Sequence, residues 1–173
     1  MAKGLYQMVR KVWKKPKDML GDSFKERLIK WRKESRFVKI NKPTRIDRAR
    51  ALGYKSKKGF VIVRGRLKRG GRKRPLYGRR GRKPSKTGVT KFTPTKSLQW
   101  IIEERVQKKY PNLEVIGSYP VGEDGKYKWF EIILVDPNIP EIKKDKNLKW
   151  ICEKQHTRRV FRGLTPRGKR VRR

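Results

Sequence analysis

After Asp47 the chain carries no acidic residue until Glu103, and inside that interval residues 64–83 read RGRLKRGGRKRPLYGRRGRK. A segment whose charges are all positive repels itself, and with few apolar residues it cannot offset the entropy of ordering. Such a stretch takes up structure only on a partner. The chain must therefore combine a part that builds its own core with a part that takes shape on something else.

The self-folding part follows the gap. Glu103, Glu104, Glu114, Glu123, Asp124, Glu131, Asp136, Glu141 and Asp145 crowd into it, and mixed charge with regular apolar spacing folds in water. The run TKSLQWIIEERVQKKY places Leu98, Ile101, Ile102, Val106 and Tyr110 on one side at helical spacing, which predicts an amphipathic helix between Pro94 and Pro111. In LEVIGSYPVGEDGKYKWFEIILVDP two β-rich runs meet at Glu123-Asp124-Gly125, a hairpin signal. The second run sends Trp129, Ile133 and Val135 to one face and Phe130, Ile132 and Leu134 to the other. An apolar strand on both faces needs cover above and below. A further strand is predicted over Gly59–Leu67, apolar at its start and basic at its end, as if leaving the core to become the Arg/Gly run.

Two helices are expected before it. GLYQMVRKVW has Leu5, Met8, Val9 and Trp13 at helical spacing, and SFKERLIKWRKES has Phe24, Leu28 and Trp31, with Ser23 and Glu26 placed as a capping box. The Trp and Phe residues read as packing anchors. A turn after Pro43, a short helix over Asp47–Leu52 and a stop at Gly53 complete this part.

The expected fold is α+β, a small antiparallel β-sheet packed with helices, carrying long basic extensions that order on RNA. By residue number, 1–58 holds the N-terminal helices and a basic segment, 59–67 a first core strand, 68–94 the Arg/Gly-rich extension, 95–147 the rest of the core and 148–173 a basic tail, HTRRVFRGLTPRGKRVRR from His156 on, expected to be unordered in isolation.

Lys and Arg number 52 against 15 Asp and Glu, a formal net charge of +37, and charged residues (39%) outnumber hydrophobic ones (34%), so the core occupies only part of the chain. That charge asks for a dense anionic partner, and nucleic acid, whose phosphates release counterions when neutralised, fits best. No apolar run is long enough for a membrane span, the N-terminal residues lack the core of a signal peptide, and no small-molecule substrate is implied. An intracellular location is expected. One cysteine, Cys152, and one histidine, His156, make neither an internal disulfide nor a zinc-ligand set. No metal or cofactor is expected, and Cys152 beside Trp150 and Ile151 reads as a partly buried packing residue.

The candidate nucleic-acid contacts are Arg45, Arg48, Arg50, Lys55, Lys57 and Lys58; Arg64, Arg66, Lys68, Arg69, Arg72, Lys73, Arg74, Arg79, Arg80, Arg82 and Lys83; and Arg158, Arg159, Arg162, Arg167, Lys169 and Arg170. Guanidinium forks pair with phosphates and stack on bases, while interspersed glycines let the backbone follow a crowded surface. RNA is favoured over DNA because an irregular extension, matched to no groove period, suits clefts and unpaired bases.

Four stretches, KPTRIDRARALGYKSKKGFVIVRGRLKRGGRKRP, SLQWIIEERV, LEVIGSYPVGEDGKYKWFEIILVDP and FRGLTPRGKR, resemble in order a large-subunit ribosomal protein family shared by archaea and eukaryotes, the one numbered fifteen. The resemblance covers nearly the whole chain. It implies a structural constituent of the cytoplasmic ribosome, not an enzyme, bound to large-subunit ribosomal RNA among neighbouring ribosomal proteins. RNA contact is implied best for Arg64 through Lys83 and for Arg45, Arg48, Arg50 and Lys55. The short sequence after Gly163-Leu164-Thr165 resembles the archaeal type.

Two other classes of protein share this basic composition. A nuclease would gather Glu103, Glu104, Glu123, Asp124, Glu131 or Asp136 around magnesium, yet these fall on a helix, a turn and a strand that do not obviously converge. A DNA-compacting protein would bind any duplex as well as RNA.

Overall fold

The computed structural model describes residues 4–71, 78, 80–86 and 94–171. In chain order the elements are α1 (Leu5–Val12), α2 (Pro16–Lys33), β1 (Phe37–Ile40), α3 (Ile46–Ala51), β2 (Phe60–Lys68), α4 (Leu98–Lys109), β3 (Glu114–Glu123), β4 (Tyr127–Val135), α5 (Pro140–Lys143) and α6 (Pro166–Val171), with single 3-10 turns at Pro84–Lys86, Lys149–Cys152 and Lys154–His156. The four strands form one antiparallel sheet in the order β1-β2-β4-β3.

The centre of the sheet is β4, for the reason its sequence suggests. Trp129, Ile133 and Val135 enter one apolar cluster and Phe130, Ile132 and Leu134 the other. Phe24, Leu28 and Trp31 of α2 and Ala49 of α3 cover the first face, with Ile142, Leu148 and Ile151 from beyond the sheet. Trp100, Ile102 and Val106 of α4 and Val160 cover the second. Fully burying a side chain of this size contributes about 1.5–3 kcal/mol, so the two layers hold the fold. The hairpin turn is set by Asp124, whose Oδ1 accepts from the backbone N–H groups of Lys126 (2.8 Å) and Tyr127 (2.5 Å). Gly65 lets α4 lie on β2: a Cβ there would stand 2.5 Å from Ile102 Cδ1.

Several expectations need correction. The second helical element runs from Pro16, but Gly21 (φ 48°, ψ −123°) is non-helical and divides it, so the run holding Phe24, Leu28 and Trp31 starts at Asp22, next to the expected start, and Ser23 lies on helical backbone rather than at a cap. The helix before β3 is capped by Ser97, whose Oγ accepts from Trp100 N at 3.3 Å, and its buried face is turned relative to the expected one. Trp100, Ile102, Glu103, Val106 and Gln107 are buried, while Leu98, Ile101 and Tyr110 are only partly covered. The cause is the C-terminal segment, which roofs this helix: Trp100 Nε1 donates to the Val160 carbonyl at 2.8 Å. The short β1, four residues pairing Phe37–Ile40 with Ile62–Gly65, carried no readable period. The basic end of β2 does not leave the core, since pairing runs to Lys68 opposite Tyr127 and Leu67 is buried. In α1, Leu5 and Met8 remain exposed.

The largest correction concerns the basic tail of residues 148–171, expected from His156 on to be unordered in isolation. Leu148, Ile151, Val160 and Thr165 are buried, and Glu114 Oε1 accepts from the backbone N–H of Arg158 at 2.8 Å. Gly163 (φ 66°) and Gly168 touch: a Cβ on Gly168 would lie 2.6 Å from Gly163 Cα, so the loop closes only without a side chain there.

Candidate nucleic-acid interface

The basic residues separate into those that protein groups hold and those that none hold. Arg159 belongs to the first kind. Only 6% exposed, it donates from Nη1 to the carbonyls of Val115 (2.7 Å) and Ile116 (3.2 Å) and from Nη2 to Leu164 (2.9 Å), with its guanidinium 4.9 Å from the Trp150 ring centroid. Arg45, also buried, pairs with Asp47 Oδ2 at 3.3 Å, donates to the Pro120 carbonyl at 3.4 Å and faces Trp13. Burial lowers the proton affinity of both, opposed by Asp47 beside Arg45 and by Glu114 and Glu103 near Arg159. Neither is the surface contact it was expected to be, because its acceptors are interior protein oxygens.

Several other expected contacts are partly engaged. Arg64 pairs with Glu34 at 2.6 Å over the Trp31 ring. Lys55 and Lys57 both grip Asp145 Oδ2 (2.8 and 2.5 Å), and these two donors hold the Asp145 carboxyl well below the usual carboxylate range. Arg50 bonds the Tyr6 hydroxyl, and Arg162 donates to the carbonyls of Gln155 and Thr157. Arg167 Nε donates to Ser97 Oγ at 3.2 Å.

Two buried carboxylates anchor basic segments to the sheet, and sequence reasoning treated them only as conceivable metal ligands. Glu103 on α4 accepts from the Ser118 hydroxyl and, at 2.7 Å, from the Thr165 hydroxyl, so it ties the C-terminal segment to β3. Burial pushes its carboxyl up to about 7, against the lowering effect of those two hydroxyls. Glu131 on β4 accepts from the Thr44 N–H (3.0 Å), the Thr44 hydroxyl and the Tyr119 hydroxyl (2.7 Å), fastening the turn before α3; burial raises it too. The two sit on opposite faces of the sheet with Ser118 and Tyr119, successive residues of one strand, as their partners. Among the described residues no three Asp, Glu, His or Cys side chains come together as a metal site would require.

Of the candidates that remain, Arg48, Lys58, Lys68, Arg80, Arg82, Lys83, Arg158, Lys169 and Arg170 are exposed, while exposed Arg69 donates to the Asp124 carbonyl at 3.1 Å and half-buried Arg66 to the Arg32 carbonyl. Arg72, Lys73, Arg74 and Arg79 lie outside the described residues. Lys68 and Arg69 border a groove of about 1220 Å³ where β2 ends and α4 begins, lined also by Gly71 and Pro94. Sequence reasoning missed its other cations, Arg36, Lys96, Arg105 and Lys108. The spacing of Arg105 and Lys108, three apart on one helix stripe, was the available signal. One carboxylate lines the groove, Glu104, and Lys96 neutralises it at 2.6 Å. A second groove, of about 770 Å³ between the α1–α2 junction and β3, sets Asp18 and Glu123 against Lys15, Lys17, Arg45, Lys128 and Arg167, with Arg45 already paired to Asp47, and so is less one-sided in charge.

The arrangement can hold an extended polyanion at the root of the Arg/Gly segment. Among the described residues no helix is long and apolar enough to cross a membrane. A family model described as Ribosomal L15 matches residues 4–173, essentially the whole chain.

Proposed function

The chain belongs to the Ribosomal L15 family and is a structural constituent of the large ribosomal subunit, and we propose that it binds and stabilises folded ribosomal RNA through the cations that no protein group engages. The observation carrying this reading is the one-sided charge of the groove between β2 and α4. Exposed Arg80, Arg82 and Lys83, and by sequence Arg72, Lys73, Arg74 and Arg79, extend that charge along the Arg/Gly segment. Arg48, Lys58, Arg158, Lys169 and Arg170 supply further exposed donors. Each phosphate they meet releases condensed counterions, which drives association and makes it salt-dependent.

The folded unit's part is to fix where these donors start. Four of its carboxylates are engaged internally, by Lys55 and Lys57 at Asp145, by Arg64 at Glu34 and by hydroxyls at Glu103 and Glu131. They therefore compete little with phosphate. Neighbouring ribosomal proteins complete the expected surroundings, and no small-molecule substrate is required.

Sedimentation of native extract on a sucrose gradient after a high-salt wash tests the assignment. The expected result is comigration with the large subunit, lost from a variant in which Arg80, Arg82 and Lys83 are all replaced by Gln. Release of the unaltered protein into the light fractions, with equal affinity for duplex DNA, would overturn it in favour of a DNA-associated role.

A further inference from the structure

The groove between β2 and α4 has more than charge. Its floor is apolar: Leu67 is buried beneath it, and Leu98, Ile101 and Tyr127 line it half-exposed. Its rim carries Arg36, Lys68, Arg105 and Lys108, none of which has an ion pair or side-chain hydrogen bond among the described residues. Arg66 stands between the two, its guanidinium 4.7 Å from the Tyr127 ring centroid and its Nη1 donating to the Arg32 carbonyl at 2.5 Å. That flat cation is held in place before any ligand arrives.

A surface that only followed a duplex backbone would need the rim and not the floor, because paired bases hide their faces in the stack. A concave apolar floor ringed by unpartnered cations matches the opposite object, a base turned out of its stack with a phosphate on either side. Volume agrees with this. Sites that enclose a drug-sized molecule span about 300–1,000 Å³, so a groove of 1220 Å³ has room for a nucleotide and part of its neighbours.

We propose that this groove seats an unpaired ribonucleotide, its base on the Leu98, Ile101 and Tyr127 surface and its flanking phosphates on Arg36, Lys68, Arg105 and Lys108. The inference rests on the RNA-binding reading above and adds to it a recognition mode and a place. Because every base has an apolar face, the floor selects for exposure of a base rather than for its identity.

The test uses the full chain and three RNA hairpins that differ only at one point of the stem: fully paired, with one bulged adenosine, and with an abasic residue in the bulge. At matched salt the protein should bind the adenosine bulge about tenfold more tightly than the abasic one, the order expected for one stacked base. The exposed pair Arg105→Gln with Lys108→Gln should weaken binding of both bulged hairpins alike, because both keep the flanking phosphates, and Ile101→Gln should remove the adenosine preference while leaving the fold intact. Lys143→Gln with Lys144→Gln, the same loss of charge on exposed residues outside the groove, should leave binding and preference unchanged. Equal affinity for the adenosine and abasic bulges, a preference that survives Ile101→Gln, or binding that Arg105→Gln with Lys108→Gln leaves unchanged overturns the inference while leaving RNA binding standing. Failure to bind any of the three hairpins overturns the RNA-binding reading, and this inference with it.

Discussion

Two arginine-rich segments of this molecule, residues 64–83 and 156–171, read alike as sequence and behave differently as structure. Both space arginines with glycine and proline. In the second, Arg159 is buried under three backbone carbonyls, Thr165 is tied to Glu103, and Val160 is fully enclosed. In the first, once β2 has ended, Arg80, Arg82 and Lys83 face solvent. Charge density does not separate them. The second segment brings apolar anchors of its own and lands beside buried carboxylates; the first contains Leu76 and Tyr77 but no acid anywhere near it in sequence. An arginine becomes structural when the protein supplies acceptors and a dry place to put them, and otherwise stays available for a phosphate.

Arg159→Ala attacks the comparison at its strongest point. It strips three carbonyls of their donor and removes one of the cations near Glu103 and Glu114, and each buried acceptor left unsatisfied costs about 1–3 kcal/mol. Urea unfolding monitored by tryptophan fluorescence should show the loss. A cost under about 1 kcal/mol would place Arg159 with the exposed arginines and dissolve the distinction.

Glu103 sharpens the comparison through pH. Its carboxyl rises from 4.5 to about 7 on folding, so between those values the folded state binds more protons than the unfolded one, and stability falls as pH rises through that window. The full effect is about 3 kcal/mol. Glu131 and Glu114, also raised by burial, act with the same sign. In Glu103→Gln the unfolding free energy should decline less between pH 5 and pH 7 than in the unaltered protein. An unchanged slope would mean that the carboxylate reaches solvent and the segment is not sealed onto α4.

Thr165→Val removes a smaller link in the same chain. The Thr165 hydroxyl donates to Glu103 and accepts from the Gly168 N–H at 3.2 Å, at the start of α6. Its loss should cost about 1–2 kcal/mol and should speed hydrogen exchange in residues 157–171 more than in β4. Equal acceleration in both would show that the C-terminal segment unfolds only together with the sheet.

Much of this was legible beforehand, and the gaps have physical causes. The two apolar faces of β4 and the Asp124 turn are local patterns, and local patterns survive in sequence. The register of α4 was not local: its buried face depends on Val160 and Thr165, some sixty residues away, which hold Trp100 and Glu103 inward. Glu131 was visible as one acid in an apolar strand, but its partners Thr44 and Tyr119 come from two other segments. The interface was legible as charge and illegible as geometry. Counting arginines placed Arg45 and Arg159 outside, and passed over Arg36, Arg105 and Lys108, which lie in runs of ordinary composition.

The remaining prediction concerns the exposed segment, where the expected effect on stability is smallest. Replacing Arg80, Arg82 and Lys83 together by Gln removes no buried contact, so the unfolding free energy should stay within about 0.5 kcal/mol. Binding to a large-subunit RNA fragment should weaken, and the slope of log affinity against log salt should flatten by about 2–3, near 0.9 per lost phosphate contact in a helical region. These two readouts together are what Arg159→Ala cannot imitate, since that variant loses stability first and affinity only as a consequence. If the triple variant instead melted with the core, its arginines would have acceptors on the protein, and the two segments would differ in degree and not in kind.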